Sequence, residues 1–230
     1  MNKFDLEPII EANLSILDHE NYKVTCEIEG SGIFITVFRE NESSFLKISQ
    51  SFLKNYDTGL KLNIKIIENI IGPILSKAGI KGSYESYYAY TTNLFSIDKQ
   101  NYEATKISTE HVKTVEDVIA VLHQLNDYIE NVAEPFFEKW SDLRVLNDFI
   151  ETIPQRQITK YLGMSATFKK ILIYKLCNNP KYKDEFERVY NKFTKRYQEN
   201  PNGDRSYKQW NDAVILLKEA LDNVEPIYNM

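Results

Sequence analysis

Residues that could perform catalysis or bind a metal ion are few in this sequence and lie far apart. Among 230 residues there are three histidines and two cysteines. Only His123 has an acidic residue, Asp127, at a helical spacing from which a carboxylate can orient an imidazole as a general base or metal ligand. No H-E-x-x-H motif and no second ligand at a matching spacing accompany this pair. We therefore interpret His123 as a structural or surface residue and predict no metal site.

The two cysteines also lack the sequence context of a nucleophile. Cys26 alternates with apolar residues, and Cys177 follows the apolar run 171–176, so we expect both to be small buried side chains. No neighbouring motif would activate either thiol. The G-x-S-x-G pattern of serine hydrolases and the glycine-rich phosphate-binding patterns do not occur. The sequence predicts no catalytic residue and no cofactor.

A tyrosine-rich segment is the first candidate for a binding surface. It carries Tyr84, Tyr87, Tyr88 and Tyr90 within a predicted strand over 84–95. Strand alternation places Tyr87 on the face opposite the other three, and exposed tyrosines are common anchors of protein–protein interfaces. A helix packed on the same face would use these side chains equally well, so core packing is the alternative.

A second aromatic feature lies near the C-terminus and repeats at helical spacing. Its members are Tyr182, Phe186, Tyr190, Phe193 and Tyr197. Aromatic side chains beside basic ones can stack on the bases of single-stranded nucleic acid. A stripe on one helical face is also how a helix packs on a core, and we interpret these residues as core.

The charges are distributed unevenly along the chain. The formal net charge is -5, yet residues 155–208 contain 13 Lys or Arg and only 5 Asp or Glu. Within this basic region, Lys192, Lys195 and Arg196 form a candidate basic surface. The excess is explained either by solvated faces of opposite sign or by a surface that meets an acidic partner or a phosphate backbone.

The first half of the sequence predicts an antiparallel sheet with covering helices. A helix is expected over 5–18, followed by strands whose alternation or β-branched composition is clear. These strands are 22–28, 33–38, 45–52, 84–95 and 102–107. The stretch 60–78 fits both a strand and a helix, and its length favours the helix.

From Thr114 onward the apolar residues recur with the helical period. Thr114 and Asp117 form a capping-box pattern at the start of the first of these helices, and Ser206 and Gln209 form another near the end. Short connections between successive helices predict antiparallel αα-hairpins. A boundary at 113/114 either separates two domains, 1–113 and 114–230, or lies inside one integrated domain.

One segment resembles a known group of proteins. The sequence VAEPFFEKW over 132–140, followed by a leucine-rich helix over 143–150, resembles a recurring segment of small bacterial α+β domains of unassigned activity. Some members of that group are similar to immunity proteins, which neutralise toxins. The resemblance implies the same order of helix, hairpin and helices, and it carries no catalytic motif.

These observations predict an α+β protein that acts without catalysis. Its N-terminal half holds four to five antiparallel strands, and its C-terminal half is helical. We expect an immunity-like or adaptor-like protein that binds another protein. The alternatives are a nucleic-acid-associated protein that uses region 155–208 and an enzyme whose site has no recognisable motif. Two cysteines, no secretory signal pattern and no membrane-length apolar run predict a cytoplasmic location without membrane association.

Overall fold

A computed structural model describes residues 3–29, 32–52, 58–80, 90–110, 112–163 and 165–228. The chain divides into two compact units, and each of them is built from two segments. We call the first, Met1–Leu62 with Thr92–Ser141, the sheet unit. The second, Asn63–Thr91 with Asp142–Met230, is the helical unit. The division therefore differs from a boundary at 113/114, because the helix that starts at Val115 belongs to the sheet unit.

Five described strands form one antiparallel sheet in sequential order. They are β1 (Tyr22–Glu29), β2 (Gly32–Glu40), β3 (Ser44–Phe52), β4 (Gly59–Ile64) and β5 (Thr92–Asn93). The first three strands match the predicted ones within two residues, since alternating apolar side chains and the short connections specify a meander. This confirms the α+β fold with an N-terminal sheet and a mostly helical C-terminal half.

The helices extend from one end of the chain to the other. In chain order they are α1 (Lys3–Asn13), α2 (Lys65–Lys77), α3 (Leu94–Ile97), α4 (Lys99–Thr105), α5 (Val115–Tyr128), α6 (Glu134–Trp140), α7 (Leu143–Thr152), α8 (Ile158–Leu162), α9 (Ala166–Leu176), α10 (Tyr182–Glu199) and α11 (Arg205–Asp222). No helix in the part of the chain that the structure describes is long and apolar enough to cross a bilayer.

The core of the sheet unit lies on one face of the sheet. Ile33, Ile35 and Val37 alternate along β2 and are fully buried. Helix α1 contacts β1, β2 and α5, so it covers this face. Burying each such side chain stabilises the fold by about 1.5–3 kcal/mol.

Helix α5 begins at the predicted capping box. The Thr114 hydroxyl accepts a hydrogen bond from the Asp117 amide, and the Asp117 carboxylate accepts one from the Thr114 amide. The helix then widens into a π-helical turn at Ile129–Ala133 before Pro135 enters α6. Proline has no amide hydrogen to donate, and the wider turn lets the helix continue through it.

Helix α9 is central in the helical unit. It contacts α2, α7, α8, α10 and α11, and nine of its eleven residues are buried. Helices α10 and α11 form an antiparallel pair around it. The stacked rings of Phe193 and Trp210 join them, with centroids 5.5 Å apart, and both rings meet the edge or face of Phe168.

Several local predictions are corrected by the structure. The stretch 60–78 is a strand followed by a helix, β4 and then α2. Of the strand predicted over 84–95, residues 84–89 lie outside the described residues, only Thr92–Asn93 is a strand, and Leu94–Ile97 is a helix. The strand predicted over 102–107 is wrong because that stretch belongs mainly to α4. Side-chain caps explain both errors: Asn93 accepts a hydrogen bond from the Ser96 amide, and Asp98 accepts one from the Asn101 amide.

The last capping prediction is also wrong. Helix α11 begins at Arg205, and the carboxylate of Asp204 accepts a hydrogen bond from the Ser206 amide. Ser206 therefore lies inside the first turn instead of capping it. Asp and Ser are comparable N-cap residues. Because Asp204 and Ser206 lie only two positions apart, the sequence does not determine at which of them the helix starts.

Candidate functional site

Most of the predicted tyrosine surface lies outside the described residues. Tyr84, Tyr87 and Tyr88 belong to the undescribed stretch 81–89. Tyr90 is described and is half-buried. Its ring packs against Gly163, where an added Cβ would lie 3.4 Å from the Tyr90 Cε2. That distance is an ordinary van der Waals contact, but Gly163 has a φ of 65°, a conformation that residues with a side chain rarely adopt, so the backbone favours glycine at this position.

The main chain at Tyr90 is held by a buried ion pair. Lys169, on α9, donates a 2.6 Å hydrogen bond from Nζ to the Tyr90 carbonyl oxygen. The same Nζ lies 2.8 Å from Oε1 of Glu68, on α2, and the two charged side chains are only 5% and 6% exposed. Three separate segments of the helical unit therefore meet at this lysine.

Thr91 completes the arrangement. Its hydroxyl donates a 2.8 Å hydrogen bond to Glu68 Oε1 and accepts a 2.9 Å bond from the Ile64 amide. Ile64 precedes the first residue of α2, where the helix has amides without internal partners. Thr91 satisfies one of them while it also helps to solvate the buried carboxylate. We refer to Glu68, Thr91 and Lys169 as the Tyr90 clamp.

The electrostatics of the clamp follow from its burial. Removal of Lys169 from water lowers its pKa, while the Glu68 carboxylate opposes this shift. A buried lysine with a lowered pKa can serve as a nucleophile or base in an enzyme. Here the amine is already engaged by a carboxylate and a carbonyl, an arrangement that fixes the position of Tyr90.

A second polar network lies on another side of α9. Lys170 donates a 2.8 Å hydrogen bond to Gln155 Oε1 and lies 3.5 Å from Glu185 Oε1 on α10. Glu185 also accepts two hydrogen bonds from Arg188. Burial opposes the ionisation of Glu185, yet the Arg188 hydrogen bond and the Lys170 charge hold its pKa below the usual range. This network attaches α10 to α9.

The three residues of the predicted basic surface lie on α10 and are exposed. Lys195 Nζ is 3.7 Å from Glu199 Oε1, one turn further along. Arg196 donates a hydrogen bond to the Tyr207 hydroxyl and covers the ring of that residue at 4.3 Å. Lys192 Nζ lies 5.8 Å from the centroid of the Phe193 ring. Local acidic and aromatic neighbours thus engage all three cations.

The α10–α11 pair as a whole is close to neutral. Residues 181–222 contain nine Lys or Arg and eight Asp or Glu. The basic excess counted over 155–208 is diluted in two ways: Lys169 and Lys170 are buried beside carboxylates, and α11 contributes acidic residues beyond 208. The fold therefore converts a basic stretch of sequence into a surface of mixed charge.

The remaining candidate residues do not converge on one site. Cys177 is buried, as predicted, whereas Cys26 is only half-buried because it lies on the edge strand β1. Removal from water raises the pKa of the Cys26 thiol to about 11 and that of the Cys177 thiol to about 12, so both are protonated at neutral pH. His123 and Asp127 are both exposed on α5. Within the described ranges no group of three or more His, Cys, Asp or Glu side chains could hold a metal ion.

The clamp residues were not identified from the sequence. Glu68 and the Lys169–Lys170 pair do interrupt otherwise apolar helical runs, and a charge at a core position often has a buried partner. The ion pair between Glu68 and Lys169 joins residues about a hundred positions apart in the sequence. No local sequence pattern can predict a contact between such distant residues.

Comparison with known proteins found no relative. No family model matches the chain, and neither the curated proteins nor the solved structures contain a match. The resemblance of segment 132–140 to small bacterial α+β domains stays a prediction. In the structure this segment spans the end of the π-helical turn and α6, and Phe136 and Trp140 are buried there.

Proposed function

We propose that this chain acts by binding another protein, as an immunity-like or adaptor-like protein, through a surface to which Tyr84, Tyr87, Tyr88 and Tyr90 contribute. The observation that carries the proposal is the Tyr90 clamp. Buried Lys169 donates a hydrogen bond to the Tyr90 carbonyl oxygen, and the next residue, Thr91, donates one to buried Glu68. A tyrosine fixed in this way loses little conformational entropy on binding, and rigid aromatic anchors contribute strongly to interface affinity.

The mixed charge of the α10–α11 pair supports a protein partner over a nucleic acid. Binding to a phosphate backbone depends on cations that are free to replace counterions. Lys195 lies beside Glu199, and Arg196 lies over the ring of Tyr207, so these two cations already have neighbours within the α10–α11 pair. A protein surface of mixed charge is complementary to such a face, whereas a polyanion is not.

Site-specific photo-crosslinking tests the proposal. A photoreactive phenylalanine analogue is placed at Tyr87 in one variant and at Lys192 in a matched control, and both are expressed in the native host cell. We expect a discrete protein adduct from position 87 and none from position 192. Adducts from position 192 alone would contradict the proposed surface, and nuclease-sensitive adducts would support the nucleic-acid alternative.

A substitution then measures the contribution of the tyrosine to binding. Tyr87→Ala should weaken binding of the crosslinked protein by about 30-fold or more, as truncation of an interface anchor does. The control is Phe186→Ala, which removes an aromatic ring from α10. Equal losses of binding in the two variants would show that the effect comes from reduced stability and not from the surface.

A further inference from the structure

Among the described residues, the sheet ends at a strand with an unpaired edge. β1 is the terminal strand of the sheet that the structure describes, and β2 is its neighbour along all eight of its residues. In an antiparallel pair, alternate residues direct their N–H and C=O groups towards the neighbouring strand. The Tyr22 amide donates a 2.9 Å hydrogen bond to the carbonyl oxygen of His19, which precedes β1. Just beyond β2, the Asn41 amide donates to the Ser44 carbonyl oxygen, so the odd-numbered residues of β2 face β3 and its even-numbered residues face the odd-numbered residues of β1. The even-numbered residues of β1 therefore direct their backbone groups outwards.

The side chains at this edge are incompletely covered. Val24, Cys26 and Ile28 lie on the same face as the fully buried Ile33, Ile35 and Val37 of β2, with which they are in register. The β2 row is buried, yet all three β1 residues are half-exposed. Apolar side chains at the edge therefore lack the cover that a further strand would supply.

The sequence of β1 is complementary to itself when it is read antiparallel about Thr25. In that register Lys23 stands opposite Glu27 of the second copy, and the same pair recurs on the other side of the axis. On the opposite face, Val24 meets Cys26 and Tyr22 meets Ile28. Opposite charges and apolar pairs directly across two strands are both stabilising, and like charges are destabilising.

We propose that β1 pairs antiparallel with β1 of a second copy of this chain, about a two-fold axis through Thr25, so that two sheets become one. The backbone groups agree with this register. Val24 and Cys26 direct their N–H and C=O groups outwards, and each would exchange two hydrogen bonds with the other residue on the second copy. The contact is isologous and closed, so it ends at a dimer and leaves no free β1 edge.

A charge exchange tests the register. Lys23 and Glu27 are both exposed, so substitutions there leave the core intact. Lys23→Glu or Glu27→Lys alone places like charges opposite each other twice per dimer and should raise the dimer dissociation constant about tenfold or more. The double variant Lys23→Glu/Glu27→Lys restores both pairs and should restore the affinity. An equimolar mixture of the two single variants should form heterodimers.

Sedimentation equilibrium over a wide range of protein concentration measures these effects. The wild type should approach twice the chain mass of 26.9 kDa. A wild type that stays monomeric throughout overturns the proposal. So does a dimer whose dissociation constant is the same in the wild type and in Lys23→Glu, because its interface must then lie elsewhere.

Disulfide trapping tests the position of the axis independently. In the proposed register the two copies of Thr25 stand opposite each other as a non-hydrogen-bonded pair. The Cα atoms of such a pair are about 4.5 Å apart, within the range that a disulfide spans. Thr25→Cys in a Cys26→Ser background should therefore form a crosslinked dimer on mild oxidation. The control is Lys23→Cys in the same background. It should not form a crosslinked dimer, because residue 23 stands opposite residue 27 of the second copy and the two copies of residue 23 are four positions apart. Crosslinking of the control alone would overturn the register.

Discussion

Helices α9 and α10 follow one another in the chain and lie in contact, yet they meet opposite environments. Nine of the eleven residues of α9 are buried, whereas Val189 is the one fully buried residue among the eighteen of α10. Both helices carry lysines. On α9, Lys169 and Lys170 reach carboxylates inside the protein, whereas the lysines of α10 are exposed to solvent.

This difference shows why charge counted along a sequence is a poor guide to surface charge. Lys169 and Lys170 add to the basic excess of region 155–208, but Glu68 and Glu185 neutralise them in the interior. The two kinds of lysine also differ in energy. A buried ion pair is costly to break because the remaining charge has no water, whereas an exposed pair contributes about 0–1 kcal/mol.

The largest expected effect comes from breaking the Tyr90 clamp. Lys169→Met leaves the Glu68 carboxylate buried without its cation, and the free energy of unfolding should fall by about 3–5 kcal/mol. The double variant Glu68→Leu/Lys169→Met removes both charges and should recover most of the loss. Urea unfolding of the wild type, the two single variants and the double variant measures the coupling.

The matched control for this cycle is Lys195→Met on α10, which removes a lysine that is 75% exposed. Its effect should stay within about 0.5 kcal/mol. If Lys169→Met were as mild as Lys195→Met, the two lysines would be energetically equivalent and the contrast between the helices would be wrong.

Two phenylalanines allow the packing of α9 and α10 to be compared in the same way. Phe168 on α9 is fully buried and contacts the rings of Phe193 and Trp210, so Phe168→Ala should cost about 3–5 kcal/mol. Phe186 on α10 is half-buried, and Phe186→Ala should cost about 1–2 kcal/mol because less apolar area returns to water. Thermal melts compare the two directly. A larger loss from Phe186→Ala would mean that the aromatic stripe, and not α9, is the core.

The smallest effect is expected at the basic surface. Replacing Lys192, Lys195 or Arg196 singly by an uncharged residue should change the free energy of unfolding by less than about 0.5 kcal/mol. We also expect no tight binding to a generic RNA at physiological salt. Fluorescence anisotropy at two salt concentrations tests this, and tight, salt-sensitive binding that is lost when all three charges are reversed would contradict it.

The parts of the fold that the sequence predicted are those with a local cause. The β1–β3 meander follows from alternation and short turns, and α5 follows from the Thr114–Asp117 capping box. The interpretation failed at 94–107, where aromatic and threonine-rich composition indicated strands. There the side chains of Asn93 and Asp98 cap short helices, and a single hydrogen bond at each start outweighs a weak β propensity.

The aromatic stripe shows an intermediate case. Its helical spacing predicted one face of α10 packed on a core, and Phe193 does stack on Trp210. Yet all five rings are only half-buried, because a peripheral helix has a neighbour on one side alone. Periodicity identifies which side chains share a face, and the amount of water that the face excludes depends on how many other helices reach it.

By itself, the sequence determined the β1–β3 meander, the helical character of most of the chain after Thr114 and the absence of any short catalytic motif, because these depend on neighbours within a few residues. The tertiary structure alone decided which charges are neutralised, where Tyr90 is fixed, and how the chain divides into units. The position of Tyr90, for example, depends on Glu68, Thr91 and Lys169 coming together from α2, the residue before β5, and α9. Burial gives such contacts their energy, and burial arises only when distant segments exclude water from the same place.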